Sequence, residues 1–275
     1  MHKETVEEPT LELIKKLQSS EALKDFVLVG GTALALHLGH RKSIDIDLFS
    51  RNPFDAQKMS ETLEAEFEFK QEYIDKNTLK GHIGGVKIDI ITHPYPDIDQ
   101  TVEENGIRLA SINDIAAMKV NAICVSGERV KDFIDIHELL KTKKMSDILE
   151  CYSKKYSQRS ITHAAKSIVY FDDVDTTDWP VLIKEKKLTW KSVRENISSS
   201  MQEHNKAITN KQSAALYQAI AKNDAESVKA IMNKGVEPNF THVRLVNELK
   251  QKGGDIDPVI EKMITRKNPD KGFGK

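Results

Sequence analysis

Apolar residues recur at helical spacing near the start of the chain and then give way to strand-like runs. Residues 10–26 (TLELIKKLQSSEALKDF) carry apolar side chains three and four positions apart, which predicts an amphipathic helix. The apolar run 26–29 (FVLV) predicts a strand. A short helix from Thr32 to Leu38 is expected to end at Gly39, because glycine favours helix C-termini.

Residues 43–50 (SIDIDLFS) alternate strictly between apolar and polar side chains. Because successive side chains of a strand point to opposite faces, the pattern predicts a strand with Asp45 and Asp47 on one face, about 7 Å apart along the backbone. The predicted apolar face comprises Ile44, Ile46 and Leu48.

The next 45 or so residues predict one helix and three strands. The helix is expected at 54–67 and the strands at 67–74, 78–83 and 86–93, with the last two joined in a hairpin at Gly84-Gly85. The order strand, helix, strand, helix, strands predicts a mixed α/β (α+β) sheet flanked by helices.

The pattern is mostly helical from 111 to 198. Ser111, with Asp114 three positions later, is close to a capping box and predicts the start of a helix. This helix is expected to run through 115–125 (IAAMKVNAICV). Further helices are expected at 130–142, 145–156, 161–171 and 189–201, with an acidic loop at 171–180.

The C-terminal part of the chain is more polar. Residues 213–239 predict two short helices with a glycine-containing turn, similar to one ankyrin-type repeat. One repeat cannot bury its own apolar face, so we expect a helical appendage, followed by a disordered tail at 265–275. The predicted domains are 1–110, 111–200 and 201–275.

Composition and charge limit the classes of function. The 275-residue chain has a formal net charge of −1, so no global field attracts it to nucleic acid or anionic lipid. Its two cysteines, Cys124 and Cys151, form no CxxC pair, which disfavours a disulfide scaffold or a zinc site. No apolar run reaches the length of a membrane span and no signal-peptide pattern is present, so we expect a cytoplasmic protein without a membrane partner.

A third carboxylate, Asp89, lies on the predicted strand 86–93, where it could meet Asp45 and Asp47. Two like charges 4 Å apart repel by about 4 kcal/mol at an effective dielectric constant near 20, so such a cluster requires a cation or a protonated carboxylate. Oxygen ligands favour Mg²⁺, and two such ions could hold the attacking and leaving oxygens of a phosphoryl transfer.

The Gly30-Gly31 pair precedes this strand by a short helix. Glycines allow the backbone to approach a phosphate closely, and the free N–H groups of a helix start favour an anion. The alternative for each feature alone is a solvated sheet face or an ordinary turn. The order and spacing of the whole set favour a combined cation and phosphate site.

These residues resemble a known family. Residues 30–49 (GGTALALHLGHRKSIDIDLF) closely resemble the first motif of the nucleotidyltransferase AbiEii/AbiGii toxin family, within the DNA polymerase β-like nucleotidyltransferase superfamily. Residues 86–93 are similar to the strand of its third carboxylate, and 115–140 to its lysine motif and Arg-x-Lys-Asp-x-x-Asp helix. Residues 168–193 are similar to its C-terminal helical segment. The resemblance covers roughly residues 20–198 and leaves the residues beyond 200 outside it.

The resemblance implies a fold and a set of site residues. The fold would be a small nucleotidyltransferase sheet flanked by helices and followed by a helical C-terminal half. The resemblance implies that Asp45, Asp47 and Asp89 bind the metal and are also catalytic. It implies two further catalytic residues, Lys119 and Asp132. The nucleotide-binding residues that it implies are Gly30, Gly31, Thr32, Ser43, Lys119, Arg129 and Lys131. Asp135 would neighbour this set, Arg41 could help to bind a substrate, and the histidines nearby are expected to be structural or exposed.

The implied activity is Mg²⁺-dependent transfer of a nucleoside monophosphate from a nucleoside triphosphate to an acceptor hydroxyl. The resemblance implies a toxin controlled by an antitoxin partner, with the 3′ end of tRNA or a protein side chain as acceptor. A locally basic stretch at 141–166 could bind RNA, or it could be a solvated helix surface. The alternatives are a catalytically weak nucleotide-binding or interaction module and a small-molecule nucleotidyltransferase.

Overall fold

The computed structural model describes residues 1–266, and its first half is built around a mixed sheet of seven strands. The strands are β1 (Val27–Leu28), β2 (Ile46–Ser50), β3 (Lys70–Asp75), β4 (Thr78–Ile83), β5 (Val86–Thr92), β6 (Val102–Glu104) and β7 (Ile107–Leu109). The helices between them are α1 (Glu8–Ser19), α2 (Gly30–Leu38) and α3 (Ala56–Phe67).

The sheet has the strand order β3-β4-β5-β2-β1-β7-β6. The pairs β2–β5 and β1–β7 are parallel, and the other neighbours are antiparallel. This arrangement confirms the predicted mixed sheet flanked by helices. Because β2 lies beside β5, the two carboxylate-bearing strands are direct neighbours, and Asp47 pairs in register with Asp89.

Local sequence explains the helices that flank the sheet. Asp55 begins α3, because its side chain accepts hydrogen bonds from the N–H groups of Gln57 and Lys58. Gly39 ends α2 in the left-handed conformation, as its sequence position predicts. Along β4, Leu79 is fully buried, whereas side chains at alternate positions are half-exposed.

The structure differs from the sequence prediction in both helices and strands of this region. The helix expected over 10–26 ends at Ser19, and α2 begins at Gly30 rather than at Thr32. The strand expected at 43–50 begins at Ile46, and Ile44 is 63% exposed rather than part of the core. The strand expected at 67–74 begins at Lys70, because α3 continues to Phe67. The three-residue strands β6 and β7 were not predicted, since such short segments carry no readable alternation.

Four helices follow the sheet, as predicted: α4 (Ile112–Val125), α5 (Val130–Leu139), α6 (Met145–Lys155) and α7 (Ile161–Ile168). Ser111 caps α4 by accepting a hydrogen bond from the N–H of Asp114. Helix α4 packs against α2, α5, α6 and α7. It therefore holds Lys119 against the element that carries Asp132.

The chain divides into two compact units, Met1–Met201 and a second unit that begins at Gln202. The boundary falls within α8 (Trp190–Ala221), a single helix where the sequence predicted two separate ones. The second unit continues with α9 (Ala225–Asn233), α10 (Phe240–Gln251) and α11 (Pro258–Arg266). It has a core of its own, made by Leu216, Val228, Met232, Val246, Ile260 and Ile264, among others.

The C-terminal tail and the absence of a membrane span were both expected from the sequence. The tail expected to be disordered begins at residue 265, yet α11 extends to Arg266, and residues 267–275 lie outside the described part of the chain. Across residues 1–266, none of the helices combines the length and the apolar character that a bilayer span requires.

A glycine in β4 generates a prediction about the stability of the sheet. A Cβ atom at Gly81 would overlap the Lys70 carbonyl oxygen and the Phe69 ring. We expect Gly81→Ala to lower the free energy of unfolding by about 1–3 kcal/mol through overpacking, measured by urea denaturation. Thr78→Ala on the same strand is the control. An equal effect of the two substitutions would contradict the close packing at Gly81.

Candidate active site

The centre of the candidate site is a pair of facing carboxylates. Asp47 on β2 lies directly opposite Asp89 on the parallel strand β5. Asp45 is exposed and lies in the segment just before β2, so the structure assigns it to the entry of the strand. The sequence predicted Asp45 and Asp47 on one face of a single strand, with Asp89 on a neighbouring strand. The structure places Asp47 opposite Asp89 on adjacent strands, whereas Asp45 lies before β2.

The electrostatics of the pair are unfavourable in the absence of a further positive charge. Burial, followed by the negative charges of Asp89 and Asp45, raises the pKa of Asp47 to about 6, against the opposing effect of Lys119. Asp89 is 9% exposed, and its Oδ1 atom is buried without a hydrogen-bond partner in the described structure. Its Oδ2 atom lies 3.1 Å from Nζ of Lys80, directly across the β4–β5 pair.

These features fit a divalent cation, although no preassembled metal cage exists. Within residues 1–266, no three His, Cys, Asp or Glu side chains come together as a metal site. The orphaned Oδ1 atom of Asp89 and the raised pKa of Asp47 are nevertheless what two facing carboxylates show when their compensating charge is incomplete. An all-oxygen donor set suits Mg²⁺, which completes its shell with water and substrate oxygens.

The glycine turn lies directly against this pair. Val29 donates its N–H to the carbonyl oxygen of Asp47 at 2.9 Å, and Gly30 follows with φ of 70°. A Cβ atom at Gly30 would overlap the Asp47 carboxylate, and one at Gly31 would overlap the Arg41 guanidinium. Both positions therefore require glycine for the close approach of the backbone to a charged group.

The start of α2 offers free hydrogen-bond donors beside the carboxylates. Val29 at the N-cap position provides no side-chain hydrogen bond to the first turn, which leaves the initial N–H groups of the helix available. Thr32 is buried, and its hydroxyl donates to the Asp45 carbonyl oxygen and lies 2.9 Å from Oγ of Ser43. Since a hydroxyl has one hydrogen, Thr32, Ser43 and the Asp45 carbonyl form one short hydrogen-bonded chain, which fixes Ser43 beside the turn.

A buried ion network supports the other side of the turn. Asp135 is fully buried and accepts hydrogen bonds from Nε and Nη2 of Arg41 at 2.7 and 2.9 Å, and it lies 2.8 Å from Nε2 of His40. Nζ of Lys119 lies 2.7 Å from Asp135 and donates to Asp132 at 2.8 Å. Arg129, which is mostly exposed, also donates to Asp132.

Strong pairing overcomes the cost of burying these charges. Burial acts against the negative charge of Asp135, but Arg41 and Lys119 outweigh it and hold the pKa of Asp135 well below its ordinary value. Burial also opposes the charge of Lys119, yet Asp132 and Asp135 outweigh it and raise the pKa of this ammonium. Asp135 and Lys119 are therefore both ionised at neutral pH. The network has three basic side chains, those of Arg41, Lys119 and Arg129, and two acidic ones, those of Asp132 and Asp135, which is a formal charge of +1.

The remaining predicted residue, Lys131, lies apart from the carboxylate pair. Its ammonium pairs with Asp178 at 2.5 Å, in the acidic loop predicted at 171–180. The same loop reaches Arg129, because Asp175 forms an isolated bridge with it. The structure thus groups the glycines, Thr32 and Ser43 with the carboxylates, places Lys119 and Asp132 in the ion network, and directs Lys131 toward the loop.

Three contributors were not assigned their role from sequence. Arg41 was expected to help to bind a substrate and Asp135 only to neighbour the site, yet the two form a buried pair, beside which His40 has the structural role expected of it. The signal for Asp135 was its position three residues after Asp132, on the same helix face. Lys80 had no signal, because its contact with Asp89 depends on the register between β4 and β5.

The central role of Asp135 generates a prediction. Asp135→Asn removes the charge that neutralises Arg41 and Lys119, so we expect a loss of about 3–5 kcal/mol in the free energy of unfolding, measured by urea denaturation at pH 7. The control Asp178→Asn breaks the exposed pair with Lys131 and should cost less than about 1 kcal/mol. Equal effects would contradict a buried network centred on Asp135.

The same group predicts a pH dependence. The pKa of Asp135 is lower in the folded than in the unfolded protein, so its stabilising contribution is complete above about pH 5 and is lost as the pH falls below about 4. Asp135→Asn lacks this contribution at every pH. The stability difference between the two proteins should therefore shrink in acid, and a constant difference would contradict the assignment.

Comparison with known proteins agrees with this geometry. The profile of the family described as nucleotidyl transferase AbiEii toxin, type IV TA system, matches residues 13–234. An uncharacterized protein of Aquifex aeolicus, aq_aa25, is 33% identical over 168 residues, which cover 59% of this chain and 81% of that protein. The match to residue 234 corrects the expectation that the resemblance ends near residue 200.

Two solved structures match this chain at low identity. JHP933 of Helicobacter pylori gives a TM-score of 0.46 with 19% identity and covers 77% of this chain and 97% of that one. MenT4, a nucleotidyltransferase toxin of Mycobacterium tuberculosis, gives a TM-score of 0.47 with 11% identity, and the match covers 70% of this chain and 81% of MenT4. The family profile, which spans most of the chain, is what decides the assignment: this protein belongs to the nucleotidyltransferase AbiEii toxin family of type IV toxin–antitoxin systems.

Proposed function

We propose that this nucleotidyltransferase moves a nucleoside monophosphate from a nucleoside triphosphate to an acceptor hydroxyl, at the site formed by Asp47, Asp89 and the Gly30-Gly31 turn. The observation that carries the proposal is the close apposition of the glycine backbone to the Asp47 carboxylate, opposite Asp89. A cation that is coordinated by phosphate oxygens needs carboxylate ligands close to the N–H donors that bind the same phosphate.

Asp47 and Asp89, with Asp45 at the entry of the strand, would hold Mg²⁺, which supplies charge neutralisation for the reacting phosphate oxygens. Support for this assignment comes from the unpartnered Oδ1 atom of Asp89 and from the raised pKa of Asp47. We also assign Asp89 to assist the acceptor hydroxyl, because its Oδ1 atom has no hydrogen-bond partner in the described structure.

The chain itself provides the phosphate contacts. The free N–H groups at the start of α2, including those of Gly30 and Gly31, would bind the phosphate oxygens, and the helix dipole favours the negative charge there. The Ser43 hydroxyl would add a polar contact to the phosphates, and Thr32 fixes Ser43 through the bond between their hydroxyls. These groups position the nucleotide, which is the main protein contribution in phosphoryl transfer.

The ion network would act on the phosphates mainly through its charge. Two of the three ammonium hydrogens of Lys119 are directed to Asp132 and Asp135, and one is left for a ligand. Asp132 keeps both Lys119 and Arg129 in place, so we assign it a positioning role. The net positive charge of the network favours a triphosphate beside Gly31.

The acceptor is proposed to be a polynucleotide such as tRNA or a protein side chain, with a cognate antitoxin as the controlling partner. The basic stretch 141–166 gives only limited support for RNA, because several of its charges are already neutralised. Lys141 pairs with Glu138 and Glu185, Lys154 with Glu150, and Lys155 with Asp114. The stretch therefore offers fewer free cations than its sequence indicates.

Incubation with Mg²⁺, each labelled triphosphate, total RNA and protein tests the proposal. We expect label to enter a macromolecule, and Asp47→Asn to reduce the transfer by more than about 100-fold, since it removes a ligand charge. Asp75→Asn, an exposed carboxylate at the end of β3, is the matched control and should retain full transfer. The labelled fraction (RNA, protein or small molecule) identifies the acceptor class.

Undiminished transfer by Asp47→Asn would contradict the proposed site. Binding of the triphosphates without transfer to any acceptor would instead favour the nucleotide-binding module, and label confined to small molecules would favour the small-molecule enzyme.

The glycine turn yields a second prediction for the same site. In Gly30→Ala, the added Cβ displaces the Asp47 carboxylate, and we expect about a tenfold loss of triphosphate affinity in a calorimetric titration. Gly85→Ala is the control, because Gly85 also has a positive φ but no atom within 4 Å of its Cβ position. A similar loss in both variants would assign the effect to backbone strain alone.

A further inference from the structure

A cavity of about 210 Å³ lies beside the carboxylate pair, between the end of β2, the loop after β5 and the start of α4. Its lining includes Val29, Phe49, His93 and Met118, with Asp25 and Asp99 among its polar residues. None of the residues that the proposed function uses is part of this lining. A ligand group in this cavity would therefore be one other than the phosphates.

Two of the lining residues are sequence neighbours of the phosphate and cation site. Phe49 follows Asp47 by two positions on β2, so their side chains lie on the same sheet face, about 7 Å apart along the strand. Val29 immediately precedes Gly30, and its N–H donates to the Asp47 carbonyl oxygen. If the phosphates of a nucleotide lie on Gly30-Gly31, the cavity is therefore at about the distance from the α-phosphate that the sugar spans.

The lining contains an aromatic wall. The rings of Phe49 and His93 are stacked, with centroids 5.3 Å apart and planes 30° from parallel. Nε2 of His93 lies 3.0 Å from the Tyr156 hydroxyl, which fixes the ring, and burial together with the charge of Lys155 lowers the pKa of His93 to about 4. The imidazole is therefore neutral at physiological pH, and the stacked Phe49–His93 pair is an uncharged aromatic surface.

The volume suits one heteroaromatic group. An apolar protein cavity of about 150 Å³ accommodates a benzene molecule, so 210 Å³ accommodates a nucleobase. Met118, half-buried on α4, provides a further apolar contact in the lining.

The charges of the lining oppose a phosphate and favour hydrogen-bond donors. The lining has four carboxylates, those of Asp25, Asp97, Asp99 and Asp114, and one guanidinium, that of Arg51, which lies 3.8 Å from Asp97. Asp114 is paired with Lys155 at 2.7 Å, so the lining is acidic on balance. Carboxylates accept hydrogen bonds from the exocyclic amino groups of bases, and they repel carbonyl oxygens at the same position.

We propose that this cavity binds the base of the nucleotide substrate and prefers a base with an exocyclic amino group, so that CTP is favoured over UTP and ATP over ITP. The proposal rests on the proposed function, because it requires the triphosphate to lie on the Gly30-Gly31 turn. Phe49 and His93 provide the stacking surface, and the carboxylates accept the amino hydrogens. Within each ligand pair the ring system is the same, an amino group is exchanged for an oxo group, and the adjacent ring nitrogen changes from acceptor to donor.

Equilibrium titration of the full-length protein with non-hydrolysable CTP and UTP analogues in Mg²⁺ tests the proposal, with inorganic tripolyphosphate as a probe of the phosphate site alone. The wild type is expected to bind the CTP analogue more tightly than the UTP analogue. Phe49→Ala should lower the affinity for the CTP analogue about tenfold, the scale of one base–aromatic stacking contact, and leave tripolyphosphate binding unchanged.

Further variants separate stacking from an effect on folding. Phe49→Leu keeps an apolar side chain and should still lose affinity, whereas Phe49→Tyr should restore it. Phe240→Ala, an exposed phenylalanine in the second unit, is the matched control and should change neither titration. Asp25→Asn, at an exposed position, should reduce the ratio of CTP to UTP affinity.

The outcomes distinguish this proposal from the proposed function. Loss of analogue affinity in Phe49→Ala and Phe49→Leu, with tripolyphosphate binding retained, supports the base pocket. Unchanged analogue affinity in both variants, or a wild type that binds both analogues equally, overturns it and leaves the phosphate site intact. A wild type that binds neither analogue nor tripolyphosphate overturns both proposals.

Discussion

The direct opposition of Asp47 and Asp89 is the constraint on which the site depends. Parallel pairing of β2 with β5 fixes these carboxylates in register, and like charges at opposed strand positions repel each other. At an effective dielectric constant near 20, the repulsion is on the order of 4 kcal/mol for a separation of 4 Å. Lys80 offsets part of it from the other side of Asp89, yet one oxygen of Asp89 stays unpartnered. The sheet thus holds an electrostatic arrangement that a bound cation would relieve.

The buried network around Asp135 resolves the opposite problem, an excess of positive charge. Arg41 lies close to Gly31 and is buried, and Lys119 is buried on α4. Because water cannot solvate these charges, both side chains need a nearby anion. Asp135 provides it from the interior, which keeps Arg41 beside the turn without a ligand present. The turn proposed to bind phosphate is therefore held in place before a ligand binds, whereas the negative charge of the Asp47–Asp89 pair is only partly neutralised.

Local signals in the sequence were sufficient for much of this site. Alternation placed Asp47 on a strand opposite to a buried face, the Gly39 stop defined α2, and the two glycines indicated a phosphate contact. The Asp89 strand was predicted from the same alternation, and the mixed sheet from the element order. These features depend on periodicity and turn chemistry, which a single sequence contains.

What the sequence could not supply depends on tertiary register. The pairing of Arg41 with Asp135 joins residues 94 positions apart, and the contact of Lys80 with Asp89 exists only because β4 pairs with β5 at one register. The strands β6 and β7 are too short for a periodic signal. The continuity of α8 also could not be predicted, because its polar middle resembles a linker in composition.

The two sides of the site differ in the sign of their charge, and this difference has a consequence for ligand orientation. The network beside Gly31 carries one net positive charge, from Arg41, Lys119 and Arg129 against Asp132 and Asp135. The lining of the cavity beyond Phe49 carries four carboxylates, of which Asp114 pairs with Lys155, against one guanidinium, and it includes the uncharged Phe49–His93 pair. A nucleotide is itself asymmetric, with an anionic triphosphate at one end and a base that carries hydrogen-bond donors at the other. In the proposed binding mode, only one orientation satisfies both ends, and the α-phosphate would lie between them, against Asp47 and Asp89.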